Sequence, residues 1–199
     1  IHKIIKFLLT IEKVKKIAIY TNATIVPKGL NLECLKNDKV MLDITHYKTY
    51  PISARNHPKL IEACNLNNIK YNTHTADTWQ DSGRIIKYER TENELKEIFA
   101  NCCVGDVLTI LNGKMYRCPF SANAHNINAI PFSKDDIIDL NDDKITLKDL
   151  KSKIEKLYVR NNKSRYLTAC KYCKGRDFNT NEIPAGIQTK KRLENPKYS

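Results

Sequence analysis

The chain of 199 residues contains no apolar run approaching the roughly 18 residues a membrane span needs, so a transmembrane helix is excluded. Its N-terminal stretch, Ile1-His2-Lys3-Ile4-Ile5-Lys6-Phe7-Leu8-Leu9, is broken by lysines and has no small-residue cleavage site after it, which argues against a secretory signal. No internal repeat is present, which sets aside solenoids and propellers. Arginine is scarce, at 8 of the 34 basic residues. It is the side chain best suited to bidentate phosphate and guanine contacts, and its scarcity weakens the nucleic-acid reading that a net charge of +12 invites.

The charge has a plainer origin. Lysine (26), isoleucine (23) and asparagine (20) make up about a third of the chain, a bias of AT-rich coding, and the lysines are scattered rather than gathered into a stripe. With 41% hydrophobic and 28% charged residues the chain is long enough to bury a core and reads as globular. Seven cysteines, an odd number with no secretory signal, point to a reducing compartment and a cytoplasmic location, where clustered thiols bind metal more often than they pair.

The pattern alternates helix and strand. Residues 1–12 are amphipathic at helical spacing but uncapped, as though the chain started inside an element. Lys16–Asn22, Lys39–Thr45 and Ile69–His74 read as strands, with a helix over Pro58–Asn67 between the last two, the β/α arrangement of a parallel sheet. A turn is predicted at Trp79–Gly83 and a short strand at Arg84–Glu89. Thr91 and Glu94 form a capping box opening a helix over Glu92–Asn101. Asp106–Leu111 and Lys114–Cys118 flank Asn112-Gly113, the strongest short hairpin signal because both turn residues tolerate positive φ. Residues 119–145 read as irregular, Thr146 caps a helix over Leu147–Tyr158, and the polar tail from Gly175 reads as mostly loop.

The hairpin gives the cysteines their meaning. With Leu111 opposite Lys114, Cys118 falls opposite Val107, close to the pair Cys102-Cys103 that precedes the strand. Cys170-Lys171-Tyr172-Cys173 adds a C-x-x-C. Four thiolates, from Cys102 or Cys103 with Cys118, Cys170 and Cys173, suit a [4Fe–4S] cluster or a tetrahedral zinc; the long spacing in the first half is less usual for zinc. Cys102, at the end of the capped helix, is preferred over Cys103. Cys34 and Cys64 read as core thiols, and the five histidines show no ligand spacing, although His46 and His74 fall at strand ends.

The motif Cys103-x₉-Gly113-x₄-Cys118, followed by Cys170-x₂-Cys173, resembles the twitch version of the SPASM extension of radical SAM proteins. Upstream, IIKFLL…KKIAIYTNATIVPKGL is similar to a helix, strand and turn of the radical SAM partial barrel, with Tyr20-Thr21-Asn22-Ala23-Thr24 where many members carry T-N-G-T. KVMLDITHY resembles the next strand, and LNGKMYRCPFSANA and YLTACKYCKGR resemble a bacterial subgroup met among surface-polysaccharide genes. The resemblance implies an α/β fold: the C-terminal part of a (β/α) partial TIM barrel over residues 1–90, then a small twitch domain over 91–199. It implies an auxiliary [4Fe–4S] cluster, with Thr21, Asn22, Asp43 and Thr45 on the side that binds S-adenosyl-L-methionine (SAM) in the full-length protein. It also implies a peptide or carbohydrate substrate and an electron donor such as flavodoxin or ferredoxin.

One departure stands out. Radical SAM catalysis uses a C-x₃-C-x₂-C loop whose cluster leaves one iron free to chelate SAM, and neither this triplet nor a G-G-E-P-like motif occurs in the chain. Both are expected upstream of Ile1, which makes the chain an N-terminally truncated fragment that keeps the auxiliary cluster and lacks the catalytic one. The alternative is a four-cysteine zinc module binding protein or nucleic acid.

Overall fold

The computed structural model describes residues 1–76, 78–81, 83–104, 107–158, 165–175 and 181–186. Asp106 and most of the tail beyond Gly175 lie outside the described residues. The chain divides into two compact units, Ile1–Trp79 with Pro184–Ile187, and Gln80–Ile183 with Gln188–Ser199. The division falls within two short strands, β4 (Thr78–Gln80) and β8 (Glu182–Pro184). The fold is mixed α/β, and among the described residues no helix is long and apolar enough to cross a membrane.

The first unit is a parallel sheet in the order β1 (Ile17–Thr21), β2 (Val40–His46), β3 (Lys70–Thr75). The register sets Thr21 beside Ile44 and Thr45 beside His74. Alternation along β2 sorts the side chains. Val40, Leu42 and Ile44 are buried against Ile5 of α1 (His2–Leu9), Leu35, and Leu60 and Cys64 of α3 (Pro51–Leu66). Met41, Asp43 and Thr45 point to the other face. A four-residue helix, α2 (Leu30–Glu33), and a 3-10 turn at Cys34–Lys36 connect β1 to β2. Cys34 and Cys64 are buried free thiols in this core, as their apolar neighbours predict.

Helix α3 begins seven residues before the expected start, at Pro51, whose fixed φ suits a first helical position. Pro58 is an interior residue of the helix, on its exposed side, rather than its beginning. The turn after β1 places Ala23 at φ 57° with its side chain fully buried. A left-handed alanine costs about 1–2 kcal/mol, yet replacing it with glycine removes a buried methyl of about 0.8 kcal/mol and adds unfolded-state freedom of comparable size. Ala23→Gly is therefore expected to change unfolding free energy by less than about 1 kcal/mol in urea denaturation.

In the second unit, α4 (Glu92–Ala100) starts at the predicted capping box, with the Glu94 N–H donating to Thr91 Oγ1 and the Thr91 N–H donating to Glu94. β5 (Thr109–Leu111) and β6 (Lys114–Tyr116) pair antiparallel with Leu111 opposite Lys114, the predicted register. Asn112 and Gly113 sit at φ 51° and 72°, which is why this dipeptide closes the hairpin. Three expectations are corrected. Residues 119–145 contain a helix, α5 (Pro119–Asn126), and a third strand, β7 (Ile137–Asp139), paired with β6. Arg84–Glu89 is not a strand; its backbone is engaged elsewhere, Tyr88 N–H donating to Lys171 O at 2.8 Å. Trp79 lies in β4 rather than in a turn. Thr146 caps α6 (Leu147–Tyr158) as expected, accepting from Asp149 N–H at 3.1 Å.

Candidate metal centre

Three separated segments bring cysteines to one cavity in the second unit. Cys102 follows α4, Cys118 ends the hairpin, and Cys170 and Cys173 lie in and just beyond a 3-10 turn at Thr168–Lys171. All four line the same cavity, of about 40 Å³, with Phe99 and Phe120 among its apolar walls. Cys103 does not line it, so of the adjacent pair Cys102 is the member that joins the others.

Local structure explains each placement. Cys118 is the N-cap of α5, its sulfur accepting the Ser121 N–H at 3.3 Å, and Pro119 occupies the first helical position. The C-x-x-C loop is gripped by Arg90, whose guanidinium donates to the carbonyls of Cys170, Cys173 and Lys174 at 3.1, 2.5 and 3.1 Å. It also stacks over Tyr88 at 4.4 Å. A single planar fork on three carbonyls fixes a loop that has little regular structure of its own.

Burial pushes the Cys118 thiol up to about 11, with Cys102 and Cys173 adding to the shift and the Ser121 N–H opposing it. Burial pushes Cys170 up to about 12, and Cys118, Cys173 and Cys102 again contribute. Both remain protonated at neutral pH in the metal-free chain, and loading a metal must expel those protons. The folded values exceed the ordinary thiol value of 9.0, so the folded chain holds these protons more tightly than the unfolded one. Metal-free stability from this source is fully present below about pH 9 and falls as pH rises from there through about 11 to 12. Alkylation by iodoacetamide at pH 8 is expected to be roughly a hundredfold slower at Cys118 in the folded metal-free chain than in urea, read by peptide mass spectrometry.

Arg117, like Arg90, is a residue that sequence reasoning missed. It is 2% exposed and lines the same cavity. Its Nη1 donates to Val107 O at 3.0 Å, its Nε has no partner, and the guanidinium lies 5.9 and 5.6 Å from the rings of Phe99 and Tyr158. Among the described residues no carboxylate pairs with it. A buried cation without a counter-ion is costly, and anionic sulfur in the adjoining cavity would supply one. Among the described residues, no group of three or more His, Cys, Asp or Glu side chains is placed to hold a single metal ion as it stands.

The four residues expected on the SAM side fall into two groups within the first unit. Thr21 and Asn22 serve the turn after β1: Thr21 Oγ1 accepts from Ala23 N–H, and Asn22 Oδ1 accepts from the Thr24 N–H and hydroxyl at 3.3 and 2.8 Å. Asp43 and Thr45 lie on the sheet face away from the helices, and His74 joins them. Its Nδ1 is 3.3 Å from Asp43 Oδ1 and its Nε2 is 3.0 Å from Thr45 Oγ1. His46 stacks flat on His57, centroids 4.1 Å apart, and burial together with His46 holds the His57 pKa below the usual imidazole value.

No family model matches the chain, and no curated protein matches it either.

Proposed function

We propose that the chain is part of a radical SAM protein and that Cys102, Cys118, Cys170 and Cys173 hold an auxiliary [4Fe–4S] cluster of the twitch type. The observation carrying this reading is the convergence of four cysteines from three segments on one cavity that also holds a buried arginine with no carboxylate partner among the described residues. The donor set suits the group: four soft cysteine side chains line one cavity, an N–H from α5 is aimed at one sulfur, and a cation would offset an anionic cluster. When bound, such a cluster supplies one-electron transfer, since four thiolates leave no iron open to a substrate. Arg90 fixes two of the ligand-bearing residues, Arg117 compensates charge, and the apolar walls exclude water.

The parallel β1–β2–β3 sheet supports the barrel half of the reading, because its consecutive order and helix-covered single face are those of a β/α-barrel segment. Asp43, Thr45 and His74 on the uncovered face would meet the hydroxyl groups of SAM, whose cleavage supplies a radical for modifying a peptide or carbohydrate. The three-cysteine loop for that cleavage is not among the 199 residues, so the contribution of this chain is the auxiliary site, served by a one-electron donor of the flavodoxin or ferredoxin class. Anaerobic reconstitution with iron and sulfide is the test. A brown protein absorbing near about 400 nm with about four irons per chain supports the reading, and a colourless chain that takes up a single zinc overturns it.

A further inference from the structure

A second cleft in the same unit, of about 700 Å³, lies between β7 and α6 and differs from the cysteine cavity in character. Five cations line it: Lys134, Lys153, Lys156, Arg165 and Lys171. Among the described residues none of the four lysines is ion-paired with a carboxylate. Of the two acids at its edge, Asp136 is 3% exposed and committed to the fold, accepting the Thr168 N–H at 2.6 Å. Asp135 is exposed, and its carbonyl accepts from Arg165 Nη2 at 2.9 Å. Arg165 also donates to Lys156 O, so its charge is held in place at the C-terminal end of α6. Lys153 and Lys156 are one turn apart and share a helix face.

Tyr166 gives this charged cleft an aromatic wall, with Lys171 Nζ 5.9 Å from its ring. Residues 165–173 separate the two cavities, sending Arg165, Tyr166, Thr168 and Lys171 to the cleft and Leu167, Ala169, Cys170 and Cys173 to the cysteine cavity. We propose that this cleft binds a small diphosphate-bearing ligand of nucleotide size, its phosphates held among the lysines and Arg165 and its ring system against Tyr166. The volume is in the range of small-ligand sites, while the excess of positive charge selects an anion, and the single aromatic face favours a ligand with a planar or apolar group beyond its phosphates. The inference does not depend on what the cysteines hold.

Calorimetric titration of the full chain in about 50 mM salt with ADP, inorganic pyrophosphate and adenosine tests it. ADP is expected to bind saturably, one per chain and more tightly than pyrophosphate, with adenosine giving no signal. The double variant Lys153→Glu, Lys156→Glu should weaken ADP binding at least tenfold. Lys148→Glu with Lys151→Glu, the same charge change on α6 outside the cleft, should alter it less than threefold. Tyr166→Leu should erase the preference for ADP over pyrophosphate, and Cys118→Ala should leave binding intact even where it removes iron. Absence of saturable binding, or equal losses in the two double variants, overturns the proposal; the latter would mark a diffuse cationic surface rather than a site.

Discussion

Cys118→Ala is expected to leave the reconstituted chain colourless, with iron falling from about four per chain to less than about one. The loss follows from position: Cys118 joins the end of the hairpin to α5, its sulfur is capped by the Ser121 N–H, and no other cysteine lies on either element. Cys170→Ala should behave the same way, since Cys170 is the most deeply buried of the four. Cys103→Ala and Cys34→Ala are the discriminating partners. Cys103 does not line the cavity and Cys34 belongs to the core of the first unit, so both variants should keep full colour. Colour lost with Cys103 and retained without Cys102 would mean that the wrong member of the pair has been assigned.

Replacing Arg117 with methionine should have opposite effects on the two forms of the protein. In the metal-free chain the substitution removes a buried charge that no carboxylate among the described residues pairs with, at the cost of one hydrogen bond to Val107 O. Its unfolding free energy should therefore be unchanged or higher. In the iron-loaded chain the same substitution removes the cation beside an anionic cluster, which disfavours the more negative, reduced form. The reduction potential should fall by roughly 60–100 mV, the one-electron equivalent of about 1.4–2.3 kcal/mol. Protein-film voltammetry of the reconstituted variant reads this directly. An unchanged potential together with a strongly destabilised metal-free chain would make Arg117 a structural residue only.

Most of what was legible in the sequence is local. The capping box at Thr91 and Glu94, the Asn112-Gly113 turn and the β-branched strand of KIAIYT are decided within a few residues, and the structure has them where the pattern puts them. Helix α5 is hard to read from the sequence because its core, Ser-Ala-Asn-Ala-His-Asn, has weak helix propensity, and proline directly after a capping position is its one local signal. Strand β7 is three residues long and exists only because β6 offers it an edge. The alternation in Arg84–Glu89 looked like a strand, but that backbone commits a hydrogen bond to the C-x-x-C loop.

The candidate site was legible as a set of cysteines and not as an environment. Spacing nominated Cys118, Cys170 and Cys173 but did not itself separate Cys102 from Cys103, where only the end of the capped helix favoured Cys102, because adjacent residues differ in which way the chain turns after α4. Arg90 and Arg117 were invisible in the sequence, since one acts on carbonyls some 80 residues away and the other is defined by its burial beside the cysteine cavity with no carboxylate partner among the described residues. The expected SAM-side residues divided for a similar reason. Asp43 and Thr45 share a sheet face by alternation, whereas Thr21 and Asn22 are drawn into the turn that follows them.

Metal and acid-labile sulfide analysis of the chain isolated anaerobically from iron-replete cells tests the central claim most directly. About four irons and four sulfides per chain, with no zinc, is the expected result. One zinc per chain and no sulfide would contradict it and return the four cysteines to a structural zinc site.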